Sequence, residues 1–346
     1  MRPILVTGGT GFLGSHLVDG LVARGEKVRV LVRLTSSLEN ILGHVRRGNV
    51  EVVEGDLLDP ESLKRACRGA EMIFNVAAAV DFSLPGKLFE SVNVHALMSF
   101  VELADEAGIN GFVHVSTVGF YEWNGRPIDE KTPQYPTNIY EESKQRGEKI
   151  LLDAYRDAGF PVTIIEPSFI YGPRARVGIP AIFWTVQKRW MPLIDGGNHR
   201  LNMVYVSDVV DALILASEKE EAMGERFVIG HEVSPTYREI FDIVAEVLGV
   251  RTPRWSVPYA VAKPAAAIIE KGARFLGFRP LPLSDYLDYT VLDGVLDIGK
   301  ARRVLGYSPK VGLKEGMERT VVWFRQHTDL IWQEESLPVR SFLQVD

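Results

Sequence analysis

The feature that most constrains this fold is a group of closely spaced glycines directly after a short apolar run. The run Ile4-Leu5-Val6 is followed by Thr7-Gly8-Gly9-Thr10-Gly11-Phe12-Leu13-Gly14, and apolar residues then recur at helical spacing. In a strand–turn–helix unit, the first glycine makes the tight turn, the second lets a pyrophosphate approach the backbone, and the third lets the helix pack on the strand. The phosphate then meets free N–H groups at the helix N-terminus. We therefore predict a dinucleotide site formed by Gly8, Thr10, Gly11, Phe12, Leu13 and Gly14.

Short β-branched runs alternate with helical patterns through the first half of the chain. Further strands are predicted at Val28–Val32, Val50–Val53, Met72–Val76, Phe112–Val115 and Val162–Glu166, with helices between them at positions such as Glu61–Cys67 and Phe89–Ala107. Apolar strands separated by helices are typical of a parallel sheet that is covered on both faces. The sequence thus predicts an α/β fold with a Rossmann-type doubly wound parallel sheet.

The pattern becomes irregular after Pro167, although Arg226–Ile229 is typical of another strand and Tyr237–Leu248 of a helix. We therefore predict a smaller, non-contiguous C-terminal substrate-binding domain. The dinucleotide-binding domain would comprise residues 1–172 and 203–232, the substrate-binding domain would comprise 173–202 and 233–330, and the order of the tail, 331–346, is left open.

Composition excludes several classes of protein. The net charge of −6 gives no basic footprint for nucleic acid, and the single Cys67 excludes an internal disulfide and a multi-cysteine metal site. The seven histidines have no paired ligand spacing, so no metal is expected. No export signal is recognisable, and charged residues and a proline interrupt the apolar stretch 260–276, so we expect a cytoplasmic protein without a membrane span.

The end of the second predicted strand bears on the choice between NAD and NADP. NAD-binding proteins favour an acidic residue there, whereas an arginine accommodates the 2′-phosphate of NADP. This chain has Arg33, followed by Thr35-Ser36-Ser37. We therefore expect NADP to be preferred, with NAD possible, and we expect Ser36 to assist Arg33. Asp56 and Leu57, after the third strand, would lie near the adenine, although a simple turn aspartate is the alternative.

The sequence Tyr140-Glu141-Glu142-Ser143-Lys144 places a phenol and an ammonium one helical turn apart. A nearby ammonium is expected to lower the phenol pKa, which makes the tyrosine a useful acid/base. Ser116-Thr117 follow the strand Phe112–Val115, and hydroxyls just beyond the carboxyl end of a strand face the crevice where open α/β sheets bind ligands.

Together these motifs resemble one known family. The glycine turn, Asn75-Val76-Ala77-Ala78, Ser116-Thr117, the Tyr140/Lys144 pair and Pro167-Ser168-Phe169-Ile170-Tyr171-Gly172-Pro173 occur in this order. They resemble the extended branch of the short-chain dehydrogenase/reductase superfamily, also described as the NAD-dependent epimerase/dehydratase family. This resemblance implies an enzyme that transfers hydride between a nicotinamide and a substrate carbon.

The resemblance also implies a role for each matching residue. Tyr140 would be the catalytic acid/base, and Lys144 would hold the nicotinamide ribose and tune Tyr140. Thr117 would bind the substrate oxygen, with Ser116 as the alternative, and Asn93 would support the site through water. The cofactor would also be lined by Ala77, Ala78, Pro167 and Ile170. Glu166 departs from the basic residue that often precedes this proline.

The substrate class is less constrained. Arg33 and the apolar segment 179–193, which contains Trp184 and Met191, favour a reductase or dehydrogenase of a fairly apolar ketone or secondary alcohol, similar to the dihydroflavonol-reductase-like and 3β-hydroxysteroid-dehydrogenase-like members. Asp81 could orient such a substrate. The alternatives are a sugar-nucleotide epimerase or dehydratase that retains NAD, with basic residues gripping a diphosphate (Arg174, Arg176, Lys188, Arg189 and Arg200), and a non-catalytic NADP-binding regulator. The family commonly forms homodimers through the helix that carries Tyr140, so a homodimer is expected.

Overall fold

The structure, a computed structural model, describes residues 2–80, 85–176, 178–189, 192–252, 254–275 and 283–327, except for the side chains of residues 285 and 286. The predicted substrate residues Asp81 and Met191 lie outside these ranges, as does the tail from residue 331. Within them, no helix is long and apolar enough to cross a lipid bilayer.

The strands follow the predicted alternation closely. They are β1 (Ile4–Thr7), β2 (Val28–Val32), β3 (Val50–Glu54), β4 (Met72–Asn75), β5 (Gly111–Val115), β6 (Val162–Pro167), β7 (Phe169–Tyr171), β8 (Leu193–Ile194), β9 (Met203–Tyr205), β10 (Arg226–Ile229) and β11 (Ser256–Val257).

The α-helices lie between and after these strands. They are α1 (Phe12–Ala23), α2 (Leu42–Arg46), α3 (Pro60–Cys67), α4 (Gly86–Glu90), α5 (Ala96–Glu106), α6 (Ile139–Ala158), α7 (Ile179–Lys188), α8 (Val206–Ser217), α9 (Tyr237–Leu248), α10 (Tyr259–Phe275), α11 (Leu283–Tyr289), α12 (Gly299–Leu305) and α13 (Leu313–His327). A π-helical turn, Ser91–His95, joins α4 to α5 without a break.

Seven strands form one parallel sheet in the order β3-β2-β1-β4-β5-β6-β10. The direction of strand progression reverses between β1 and β4, and this switch opens a crevice at the carboxyl ends of those two strands. One hydrophobic core lies on each face of the sheet, and the larger one continues into the C-terminal helices. The Rossmann-type fold that the sequence predicts is therefore confirmed.

The helix that carries the Tyr140/Lys144 pair is well delimited by its own sequence. The Asn138 side chain caps the N-terminus of α6 by accepting from the Glu141 N–H, and Gly159 ends the helix in the left-handed conformation that glycine adopts without strain. Glu141 and Glu142 lie in the first turn, where the helix dipole favours negative charge. These signals fix where the helix begins, and hence which face Tyr140 presents.

The C-terminal elements cover the crevice from one side. Helices α7, α9 and α13 pack together, and α10 packs on α11, whereas α12 packs on β10 at the edge of the main sheet. Small two-stranded sheets connect these parts: β11 pairs with β8, and β7 pairs with β9.

Candidate active site

The glycine turn between β1 and α1 is tightly packed against its own backbone. Gly8 has φ +67°, and a Cβ atom there would lie 2.9 Å from the Ala77 nitrogen. At Gly14 a Cβ would lie only 2.1 Å from the Gly8 carbonyl oxygen. The turn therefore requires glycine at both positions, and it lies at the sheet's switch point as a phosphate-binding turn must.

A chain of buried hydrogen bonds runs from this turn to Lys144. Thr7 Oγ1 accepts from the Ala77 N–H (3.2 Å) and donates to Asn75 Oδ1 (2.7 Å). Asn75 Nδ2 lies 3.0 Å from His114 Nδ1, and His114 Nε2 lies 3.2 Å from Lys144 Nζ. Thr7, Asn75 and His114 occupy paired positions on β1, β4 and β5, so the parallel register itself lines them up.

The charges in this chain are perturbed by burial. Burial lowers the pKa of Lys144 to about 8, with the nearby Glu148 opposing the change. Burial, and then the charge of Lys144, lower the pKa of His114 well below its usual range, so the ring is neutral. A neutral imidazole donates through one nitrogen and accepts through the other, so the direction of the hydrogen bonds depends on whether Lys144 is charged. Sequence spacing does not predict these contacts of His114, because its partners come from other strands and from α6.

Tyr140 lies near the carboxyl end of β5 with Thr117. Burial raises the pKa of the Tyr140 phenol to about 12, and a hydrogen bond with Thr117 opposes this rise. Lys144 is not among the groups that lower the Tyr140 pKa, contrary to the expectation from the sequence. The reason is geometric: the Lys144 ammonium donates to the Val115 carbonyl oxygen (2.6 Å) and contacts His114. The Phe89 ring packs edge-on against the Tyr140 ring, with 6.2 Å between the ring centroids.

Ser116 and Thr117 face different surroundings because they are consecutive in an extended segment. The Ser116 hydroxyl is buried next to Glu148, whose pKa it helps to lower, whereas the Thr117 hydroxyl lies at Tyr140. The geometry therefore places Thr117, rather than Ser116, beside the phenol.

Behind Ser116 lies a buried acidic pair that sequence reasoning missed. Glu148 on α6 and Glu166 on β6 are both buried, and burial is the first cause that raises the pKa of each carboxyl. Arg226 on β10 lies 3.6 Å from both carboxylates, and the Tyr121 hydroxyl donates to Glu166. The basic residue absent before Pro167 is thus replaced by a cation from the neighbouring strand. In the sequence, only the unusual Glu166 before Pro167 indicated this buried pair. Its partners Glu148 and Arg226 could not be predicted from sequence spacing.

Asn93 lies in the π-helical turn, a feature frequent at functional sites. Its side-chain amide accepts from the Ala79 N–H (2.9 Å) and donates to the Ala79 carbonyl oxygen (3.0 Å) and to Ser143 Oγ (2.9 Å). It therefore ties the segment after β4 directly to the helix of Tyr140, and these three contacts are made without water.

A tyrosine from the C-terminal part also reaches the site. Tyr289 on α11 donates its hydroxyl hydrogen bond to Glu141 Oε1 (2.5 Å) and accepts one from Asn138 Nδ2 (2.9 Å). Because Glu141 is the neighbour of Tyr140, this contact connects α11 to the N-terminus of α6. Local spacing does not predict it, since 148 residues separate the two side chains.

The predicted adenosine-side residues lie at the carboxyl ends of β2 and β3. Arg33 is exposed, and among the described residues its guanidinium has no ion-pair partner, while its carbonyl oxygen accepts from the Ser36 N–H. Asp56 Oδ1 accepts from the Leu58 N–H within its own turn, which is the simple turn arrangement. Ala77 and Ala78 follow β4, Pro167 ends β6, and Ile170 lies in β7.

Comparison with known proteins agrees with this architecture. The profile of the NAD dependent epimerase/dehydratase family matches residues 4–230. A 4-hydroxy-2-methyl-3-oxo-4-farnesyl-3,4-dihydroquinoline-1-oxide ketoreductase from Stigmatella aurantiaca is 29% identical over 322 residues, which cover 90% of this chain and 94% of that protein. Sterol demethylase protein B from Methylococcus capsulatus is 30% identical and covers 93% and 98% of the two chains.

A solved structure is similar over nearly the whole chain. The UDP-glucose 4-epimerase from Thermotoga maritima, crystallised with UDP-glucose, has a TM-score of 0.76 and 28% identity over 94% of this chain and 99% of its own. The glycine turn, the parallel strand register and the family match all indicate the same family. The chain belongs to the NAD-dependent epimerase/dehydratase family, within the extended short-chain dehydrogenase/reductases, and it is an NAD(P)-dependent enzyme of that type.

Proposed function

We propose that this protein is an NADP(H)-dependent reductase or dehydrogenase that acts on the carbonyl or secondary alcohol of a fairly apolar substrate. The observation that carries the proposal is the set of groups at the carboxyl end of β5: the Tyr140 phenol is hydrogen-bonded to Thr117, and the Lys144 ammonium donates to the Val115 carbonyl oxygen. The same set of groups argues against a binding protein without turnover, which would not need a polarised acid/base.

The described residues fit a dinucleotide. The tight turn around Gly8 and Gly14 would let a diphosphate approach its backbone, and Lys144, at the carboxyl end of β5, would hold ribose hydroxyls. Ala77, Ala78, Pro167 and Ile170 would line the nicotinamide side, and Asp56 and Leu57 the adenine side. When bound, the cofactor supplies or accepts the hydride at C4 of its nicotinamide.

Tyr140 then acts as the general acid in the reductive direction. With a pKa near 12 the phenol is protonated at neutral pH, so it can donate a proton to the substrate oxygen. Thr117 donates a second hydrogen bond to that oxygen. Lys144, one helical turn along α6, would hold the nicotinamide ribose, and Asn93 holds the backbone after β4 in place.

The NADP preference rests on Arg33. An exposed guanidinium with no carboxylate partner among the described residues, at the end of β2, is suited to a ribose 2′-phosphate, and Ser36 lies in the same turn. Removing such a charge-assisted contact costs about 1.5–3 kcal/mol.

The proposal of an apolar substrate is supported by the contacts of the basic residues that could otherwise bind a sugar nucleotide. Arg174 donates to Asp19 (2.7 Å) and Ser15, Arg200 donates to the Ser234 carbonyl oxygen, and Arg176 lies 3.8 Å from Glu39. Three of the five candidate cations therefore already have protein partners. Trp184, half-buried on α7, would contribute an apolar wall.

A homodimer through α6, the helix that carries Tyr140 and on which α5 packs, remains part of the proposal. Support comes from Met98 on α5, a large apolar side chain that is about half exposed in the single chain. Sedimentation velocity on the purified protein tests it directly, since a monomer at micromolar concentration would overturn it.

Two measurements test the proposed function together. Nucleotide released from the purified protein is identified by mass spectrometry, and NADPH and NADH oxidation is followed with a panel of cyclic apolar ketones. We expect an empty or NADP-loaded site and ketone-dependent oxidation of NADPH. Tightly retained NAD, with interconversion of UDP-sugars and no ketone reduction, would establish the epimerase instead.

Arg33 is tested by titrating NADPH and NADH into wild type, Arg33→Ala and Arg68→Ala. Arg68 is an exposed arginine at the end of α3 and serves as the matched control. We expect Arg33→Ala to weaken NADPH binding by about 10- to 100-fold and to leave NADH unchanged. Equal affinities of the wild type for both cofactors would refute the preference.

A further inference from the structure

Helix α10 is unusual among the helices because it presents an apolar face to solvent. Helical residues follow one another at about 100° around the axis, so Tyr259, Ala266 and Glu270 lie on one side of α10. Ala266 and Glu270 are buried against the protein. The opposite side carries only uncharged residues, all exposed, which we call the outer face of α10: Val261, Pro264, Ala265, Ile268, Gly272 and Phe275.

The exposure on this outer face is large. Ile268 is 70% exposed and Phe275 is 90% exposed, and Ile269, beside Ile268 in the helix, is exposed as well. A surface helix normally turns its apolar stripe toward the core and its charges toward water. Here the inward side carries Tyr259, Ala266 and Glu270, whereas Ile268 and Phe275 point away from the protein, so the outer face presents an apolar surface to its surroundings.

Positive charges border this face. The segment 251–275 contains five cations and one acid, although the whole chain has a net charge of −6. The acid, Glu270, points inward and accepts hydrogen bonds from the Ser284 N–H and hydroxyl. Arg251, Arg254, Lys271 and Arg274 are exposed, and none has an ion-pair partner within the described part of the chain.

We propose that the outer face of α10 docks on the surface of an anionic lipid bilayer. An exposed apolar stripe in a segment rich in cations has the composition of helices that lie in the membrane interface. A second copy of this chain fits less well, because a two-fold pairing of the face would bring both sets of cations together. This inference concerns a surface and does not depend on the substrate or cofactor proposed above.

The docking helix is connected to the active site. Lys263 and Tyr259 on α10 both bind the Asp288 carboxylate of α11, with Lys263 Nζ 2.5 and 2.7 Å from its oxygens. The next residue, Tyr289, donates to Glu141 beside Tyr140. A bilayer against α10 would therefore lie one helix away from the catalytic crevice, where an apolar substrate could pass from the lipid phase.

Co-sedimentation of the full-length protein with sucrose-loaded vesicles tests the proposal. Vesicles of phosphatidylcholine alone are compared with vesicles containing 30 mol% phosphatidylglycerol, a composition chosen at roughly the anionic content that attracts basic segments. We expect binding to the anionic vesicles that weakens as salt is raised. Loss of Ile268 and Phe275 in the double variant Ile268→Gln/Phe275→Gln should weaken binding at least about tenfold, and Lys271→Gln about fivefold.

Matched controls exclude a general effect of surface polarity. Val322→Gln removes an exposed valine on α13, and Lys27→Gln removes an exposed cation before β2; both should bind vesicles like wild type. Unchanged urea-unfolding midpoints of the α10 variants would show that they fold. The proposal is overturned if wild type does not sediment with anionic vesicles, if Ile268→Gln/Phe275→Gln binds equally well, or if this variant instead converts a dimer to a monomer without any vesicle binding.

Discussion

Replacement of Gly14 by alanine has two opposite effects on stability: a gain in helix propensity and a steric clash with the Gly8 backbone. Gly14 lies in the first turn of α1, where alanine would favour the helix by about 1 kcal/mol over glycine. The new Cβ, however, would lie 2.1 Å from the Gly8 carbonyl oxygen and 2.7 Å from its carbon. Since ordinary contacts begin near ~3.5 Å, the Gly8 peptide would have to retreat by about 1 Å.

The clash outweighs the helix propensity. Overpacking of this kind costs about 1–3 kcal/mol, and here the obstructing atoms are backbone, which cannot rotate away. We expect Gly14→Ala to lower the free energy of unfolding by about 1–2 kcal/mol. Displacement of the turn should also remove one or two phosphate contacts and weaken cofactor binding by about 100-fold.

The assay combines urea unfolding with NADPH titration by fluorescence. Gly272→Ala is the matched control, since it is a helical glycine with no atom within 4 Å of the new Cβ. It should stabilise the protein by about 0.5–1 kcal/mol and leave cofactor affinity unchanged. A Gly14→Ala protein with wild-type stability and wild-type NADPH affinity would refute the steric reasoning.

Further predictions concern the buried charges. Because the lowered pKa of Lys144 is about 8, its ammonium is lost as pH rises above 8. The rate of ketone reduction should therefore fall above pH 8, although the Tyr140 phenol stays protonated there. A pH–rate profile should show this fall, and in an active Lys144→Arg enzyme the fall should move above pH 10. Arg226→Met leaves Glu148 and Glu166 without their cation and should cost about 3 kcal/mol at pH 8 by urea unfolding. A carboxyl whose pKa is raised in the folded state stabilises that state at pH values below its pKa in the unfolded chain, and this contribution is lost as pH rises through the folded-state pKa. The destabilisation caused by Arg226→Met should therefore shrink toward pH 5, where the carboxyls take up protons and no longer need a cation. Glu166→Gln should restore part of the loss, and an unchanged stability of Arg226→Met would contradict the assignment.

The sequence predicted the parts of this fold that depend on local pattern. Val28–Val32 and Arg226–Ile229 match β2 and β10, and Tyr237–Leu248 matches α9, because strong periodicity and capping residues fix such elements. The short strands β7, β8, β9 and β11 were not predicted, since two or three residues give no periodic signal.

The candidate site also has parts that local sequence spacing predicts and parts that it does not. The glycine turn and the Tyr140/Lys144 pair are recognisable because all their spacing lies within one turn or helix. The partners of His114 depend on the lateral register of β1, β4 and β5, and Tyr289 reaches Glu141 only through the packing of α11. Such contacts are set by tertiary structure and leave no trace in local spacing.

The central claim is that Tyr140 supplies the proton for a reaction of the nicotinamide cofactor. Its most direct test is single-turnover NADPH oxidation with a ketone substrate by wild type and Tyr140→Phe, with the NADPH Kd of each measured in parallel. A positioned acid contributes about 10²–10⁴-fold, so we predict a loss of at least about 100-fold in rate with an unchanged Kd. A Tyr140→Phe enzyme that retains more than about a tenth of the wild-type rate, where a working acid should contribute far more, would contradict the account.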